Sequence, residues 1–124
     1  MARSQERPRR RQSGARLVSH RGKRKFELAG YPTNTKVGEL KSKSTRTIGG
    51  NSKESLLAIK IINISDKKGK STKAEITNVL ENPANPNLVR RNVITKGTIV
   101  ETKLGKVRVT SRPGQEASVN GVLV

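Results

Sequence analysis

The side chains in this sequence that can do chemistry are cations. Arg9, Arg10, Arg11, Arg16, Arg21, Lys23, Arg24 and Lys25 crowd the amino-terminal quarter, and Arg90, Arg91, Lys96 and Arg112 form a second set further on. A guanidinium is planar and permanently charged, and it holds a phosphate through two hydrogen bonds at once. The chemistry on offer is therefore anion capture. Arg90-Arg91 follow two Asn-Pro steps, Asn82-Pro83 and Asn85-Pro86, and precede a β-branched run. Proline fixes φ, so the pair projects from a stiff approach. A pre-positioned cation loses less entropy on meeting a phosphate. The plainer alternative is that the two arginines decorate an exposed strand edge and discourage strand addition. The overall charge favours the first reading.

Other chemistries lack residues. The one histidine, His20, sits between Ser19 and Arg21 in the basic segment, where nothing fixes the geometry a general base needs. Cysteine is absent, which removes disulfides, thiolate metal sites and a Cys nucleophile. No carboxylate cluster offers a hard-cation site. Gly49-Gly50-Asn51 lacks the Gly-Lys-Ser/Thr ending of a phosphate-binding loop and reads as a turn between strands. The expectation is no enzyme activity, no cofactor, no metal and no small-molecule substrate.

The chain has 124 residues, with 27 Lys+Arg against 9 Asp+Glu, a net charge of +18. Such an excess exceeds what solubility asks for and implies a polyanionic partner, nucleic acid or an anionic membrane surface. No apolar run approaches the ~20 residues of a membrane span. The basic start superficially resembles a transit peptide but forms no apolar face, so neither targeting nor membrane insertion is expected. Phe26 and Tyr31 are the only aromatic residues. Any core must be aliphatic, and an isolated domain of this size would be modestly stable.

Three regions must position these cations. Residues 1–25 hold ten Lys/Arg and one acid, Glu6. They lack the apolar content that offsets ordering entropy, and read as a basic RNA-binding extension, disordered when free. Residues 26–44 read as an extended connector in which Phe26, Leu28 and Tyr31 dock on something. Residues 45–124 read as a β-barrel domain. SLLAIKIINIS (55–65) suits a strand covered on both sides, or one that bends around a barrel; a buried helix fits the period, but its isoleucines favour strand. DKKGK (66–70) is a turn with Gly69 at positive φ, and STKAEITNVLE (71–81) completes a hairpin. VITKGTIVET (93–102) and KVRVTS (106–111) pair through a bulged turn at Gly105. Arg112-Pro113-Gly114-Gln115 carries a type II turn signal, and SVNGVLV (118–124) is the last strand. The fold class is all-β, a small antiparallel β-barrel of about six strands with a long basic extension.

RNA fits this layout better than DNA. The scarcity of aromatics argues against a base-stacking platform on the strands, and no recognition helix for a DNA groove is visible. An arginine-rich arm on a small β body suits the backbone and shape of structured RNA. A general nucleic-acid coating protein and an enzyme holding a substrate phosphate on its basic face stay open as alternatives. So does a nuclear import role for the basic segment.

The same residues carry a resemblance. NPANPNLVRRNVITKGTIVET (82–102) and GKVRVTSRPGQEASVNGVLV (105–124), with HRGKRKFELAGYPTNTKVGE (20–39) and IGGN (48–51), closely resemble the small-subunit ribosomal protein eight family of the eukaryotic/archaeal type, in its short archaeal form. The resemblance implies a structural component of the small ribosomal subunit in the cytoplasm. Its partners would be small-subunit ribosomal RNA and neighbouring ribosomal proteins. It implies a β-barrel body with a basic extension threaded along RNA, and neither enzyme activity nor cofactor. Pro86 and Leu88 stand where that pattern has Arg and Tyr, and Ser13-Gly14-Ala15 replaces Thr-Gly-Gly. Residues 1–12 match only in being basic, so no specific contact is transferred there.

Overall fold

The structure, a computed structural model, describes residues 8–66 and 69–124. Residues 1–7 of the expected extension and Lys67-Lys68 of the expected turn lie outside the described residues. The chain forms two compact units, Met1–Pro32 and Thr33–Val124.

In the first unit, no described residue is buried. Local hydrogen bonds supply what order it has. Arg10 and Arg16 face each other in an antiparallel bridge, with Arg11 N donating to Ala15 O (2.9 Å) and Leu17 N to Arg9 O (2.9 Å). The chain reverses at Gly14, whose φ of 82° suits a residue without Cβ. A single 3-10 turn follows at Lys25–Glu27.

The second unit is built from eight strands: β1 (Lys36–Val37), β2 (Lys41–Arg46), β3 (Ser52–Ile59), β4 (Ile61–Ser65), β5 (Ser71–Glu81), β6 (Ile99–Thr102), β7 (Gly105–Val109) and β8 (Asn120–Leu123). The first three make a small sheet in the order β1-β3-β2, and β4 to β8 close into a barrel. β1 and most of β2 therefore fall within residues 26–44, the segment read as a connector. The apolar run 55–65 is not one strand. It breaks at Lys60, where the chain leaves one sheet for the barrel. Lys60 is exposed and lies 3.5 Å from the Glu75 carboxylate, so the only charge in the run marks the corner.

The barrel has five strands, not about six, and it is not wholly antiparallel. Four neighbouring pairs are antiparallel, but β4 and β8 pair in parallel through Asn63↔Asn120, Ile64↔Gly121 and Ser65↔Val122. The reason is parity: a closed ring of alternating directions needs an even number of strands, so five force one parallel pair.

The core is aliphatic, as composition demands. Leu56 and Ile59 of β3 pack in one cluster with Ile62, Ile64, Ile76, Val79, Ile94, Val100, Val107, Val109 and Val119. Each such side chain contributes roughly 1.5–3 kcal/mol by leaving water. Gly121 is required by close approach. A Cβ there would stand 2.5 Å from Val107 Cγ1 and 2.9 Å from Arg108 O.

Three turns match their sequence signals. Gly69 has φ 81°, Gly49 and Gly50 turn the chain from β2 to β3, and positive φ in the β6–β7 hairpin falls on Gly105. The type II turn at Arg112–Gln115 does not form. Gly114 does not take positive φ, and Arg112 O accepts from both Gln115 N (2.9 Å) and Glu116 N (3.0 Å). Space does not demand the glycine either: a Cβ there would meet Thr33 Oγ1 at 3.4 Å, an ordinary contact.

Candidate nucleic-acid interface

The Asn-Pro elbow is held by a closed set of hydrogen bonds. Asn82 is buried, and its Oδ1 accepts from Ala84 N (3.0 Å) and Thr95 Oγ1 (3.1 Å). Thr95 N in turn donates to the hydroxyl of Thr98, which is fully buried (3.0 Å). A buried amide without these partners would cost about 1–3 kcal/mol. Asn85 then caps a 3-10 turn, Pro86–Arg91, by accepting from Asn87 N (2.9 Å), with Pro86 in the first position, where a missing N–H does no harm. Asn92 ends the turn in the left-handed region, φ 49°. The strand expected over 93–102 starts only at Ile99, because a turn closed by Thr98 N donating to Thr95 O (3.2 Å), with Gly97 at φ 87°, comes first.

The elbow is also tied to its surroundings. Val37 N donates to Asn92 O (3.1 Å) and Ile94 N to Thr35 O (2.8 Å), while the buried Thr35 hydroxyl donates to Leu56 O (2.6 Å). Arg90 and Arg91 occupy the last positions of this fastened turn and are exposed, as is Lys96 just beyond. Arg112, also exposed, opens the β7–β8 connection. Strand directions place both connections at one end of the barrel, joined by Gly97 N to Val109 O (2.8 Å). The fold thus gathers the second cation set at one barrel end. An open groove of about 580 Å³ lies against the elbow, lined by Pro83, Pro86, Val89 and Ile99 with Arg108.

The first cation set has a different character. Arg9, Arg10, Arg11, Arg16, Lys23, Arg24 and Lys25 are exposed. Arg10 and Arg16 oppose each other across the bridge, a disfavoured like-charge pairing, and Arg10 Nη1 donates to Gly14 O (2.7 Å). Arg21 is engaged internally: its two terminal nitrogens grip both Glu27 carboxylate oxygens. With Arg24 N also donating to Glu27 Oε2 (2.9 Å), these bonds hold the Glu27 carboxyl at about 2, Arg21 being the larger cause.

Sequence reasoning missed the β2–β3 ribbon. Every residue of β2 is exposed, Lys41, Lys43 and Arg46 among them, and Lys53 stands opposite Thr45 on β3. The signal was present in KSKSTR (41–46), lysines at a spacing of two, but it straddled the end of the supposed connector at residue 44. Among the described residues no group of three His, Asp or Glu comes together as a metal site would require.

The comparisons with known proteins address the whole chain. The ribosomal protein S8e family model matches residues 4–124. Small ribosomal subunit protein eS8 of Methanobrevibacter smithii is 51% identical over 125 residues, covering 100% of both chains. The protein of the same name from Methanosarcina barkeri is 46% identical, covering 94% of each, and that from Nanoarchaeum equitans 51% identical over 84% of this chain and 83% of its own. The chain belongs to the ribosomal protein S8e family.

Proposed function

We propose that the chain is a structural constituent of the small ribosomal subunit, acting in the cytoplasm. It binds ribosomal RNA through phosphate contacts from two places. Residues 1–25 supply Arg9, Arg10, Arg11, Arg16, Lys23, Arg24 and Lys25, and the barrel end supplies Arg90, Arg91, Lys96 and Arg112. Arg21 serves the first place indirectly, by bracing the turn that follows it. Neighbouring ribosomal proteins complete the surroundings, and the protein performs no catalysis. The observation that carries this reading is the elbow: exposed arginines on a connection whose buried polar groups are all hydrogen-bonded, in a chain of net charge +18. Membership of the S8e family supports it, as does the name shared by the archaeal relatives. The described residues contain no helix long and apolar enough to cross a membrane.

The test is sedimentation of tagged protein from native lysate at elevated salt, comparing the full chain with a variant lacking residues 1–25. The full chain is expected with the small subunit. The truncated chain should keep its β circular dichroism yet trail toward the top of the gradient. With roughly 6–10 phosphate contacts, affinity for isolated RNA should fall by about a thousandfold or more between 50 and 200 mM salt. Full-length protein left at the top, or spread equally over duplex DNA, would sink the proposal.

A further inference from the structure

We infer that Phe26 is a stacking residue for an unpaired nucleobase of the bound RNA; the inference rests on the RNA-binding reading above. The chain has two aromatic rings and puts neither in its core. Both belong to the first unit, where Phe26 is 78% exposed and Tyr31 81%. The largest apolar side chains of an otherwise aliphatic protein therefore face water in the free molecule.

What separates Phe26 from an ordinary exposed ring is the backbone beneath it. Phe26 is the middle residue of the 3-10 turn Lys25–Glu27. That turn is closed by Glu27 N to Arg24 O (3.0 Å) and Leu28 N to Lys25 O (3.4 Å). It is locked again from outside, because the Glu27 carboxylate accepts from Arg24 N (2.9 Å) and from both ends of the Arg21 guanidinium. Glu27 is the one acid among residues 8–32, which hold eight Lys/Arg. A solvated tail has no need of a carboxylate to fix a turn. A ring that must meet a base face does, since a held ring loses less freedom on binding.

The flanking charges select the occupant. Lys23, Arg24 and Lys25, the three residues before the ring in the chain, are exposed. A protein pocket receiving it would have to be strongly acidic. An unpaired nucleotide supplies a flat π face and an adjacent phosphate together, and base–aromatic stacking is a standard mode for single-stranded RNA. The scarcity of aromatics excludes a platform of rings on the strands, but not one ring on the arm.

The full-length chain contains no Trp, so Phe26→Trp adds a single fluorescent reporter. Binding is measured to two RNA probes of equal length, a hairpin with an unpaired loop and a fully paired duplex, across a salt series. Phe26→Ala should weaken hairpin binding about five- to hundredfold, with the log–log salt slope unchanged and duplex binding untouched. Phe26→Tyr should restore it, and Phe26→Trp should be quenched by the hairpin alone. Glu27→Gln, which frees the turn but keeps the ring, should lower the hairpin-to-duplex ratio. Equal binding by wild type and Phe26→Ala overturns the inference and leaves RNA binding standing. A wild type that binds neither probe overturns both. A blue-shifted, unquenched Phe26→Trp in assembled subunits would place the ring in a protein pocket and also overturn it.

Discussion

Residues 8–32 and the body from Thr33 onward differ in that only the body has a core. The body leaves Leu40, Ile48 and Leu104 in water, yet Ile62, Val93, Val100 and Val107 have no exposure left. The arm leaves Val18, Phe26 and Tyr31 in water, and its order comes from a two-sided bridge and one braced turn. The body is therefore specified by contacts with itself. The arm is held by local hydrogen bonds alone, and on the reading proposed above RNA supplies the remaining contacts. Charge follows the same division: the body fixes Arg90 and Arg91 on a fastened elbow, whereas the arm sets Arg10 opposite Arg16 in an exposed backbone bridge.

This contrast can be broken in four places, in order of decreasing effect. Ile62→Ala should destabilise the body by about 2–5 kcal/mol. Circular dichroism should then show a melting temperature lower by about 8 °C or more, while Leu17→Ala in the arm moves it hardly at all. Asn82→Ala removes the acceptor for Ala84 N and Thr95 Oγ1 and should cost about 1–3 kcal/mol. It should also weaken RNA binding, because Arg90 and Arg91 lose their fixed base. A variant as stable as wild type in urea titration would show that the elbow needs no such lock.

Arg90→Ala, on the exposed side of that elbow, should change stability by no more than about 0.5 kcal/mol. The slope of log affinity against log salt should become shallower by about one unit. An unchanged slope would remove Arg90 from the interface. The smallest effect concerns the Glu27 brace. The carboxyl is depressed from 4.5 to about 2, so its contribution is complete above pH 4.5 and disappears as pH falls toward 2. The carboxyl carbon shift of Glu27 should titrate near 2 by NMR, and move up toward 4.5 in Arg21→Ala, where only the Arg24 N–H bond remains.

How much of this was legible depended on whether a residue acts alone or through distant partners. Gly49, Gly50, Gly69 and Gly105 announce their turns because positive φ is a property of one residue. The Asn-Pro steps announce an elbow for the same reason. The strand switch at Lys60 was hidden, since the isoleucines on either side enter the same core from different sheets. Gly114 was misread because a Pro-Gly step does not by itself fix the turn type, and here the Arg112 carbonyl is shared between Gln115 N and Glu116 N. The parallel β4–β8 pair depends on strand number, which no local pattern records. In the interface, exposed cations were readable as a class. That Arg21 would turn inward to Glu27 was not, because an ion pair six residues apart depends on the turn between them.

The β4–β8 pair also sets a clock. Asn63 of β4 cannot find its partner until Asn120 of β8 has been made. At about 5–20 residues per second, that edge stands open for roughly 3–11 s of synthesis. Throughout that interval the arm, which precedes the barrel in the chain, is already available to RNA. A nascent chain could thus be tethered before its body is closed, and the last barrel strand would then finish folding on a surface already chosen.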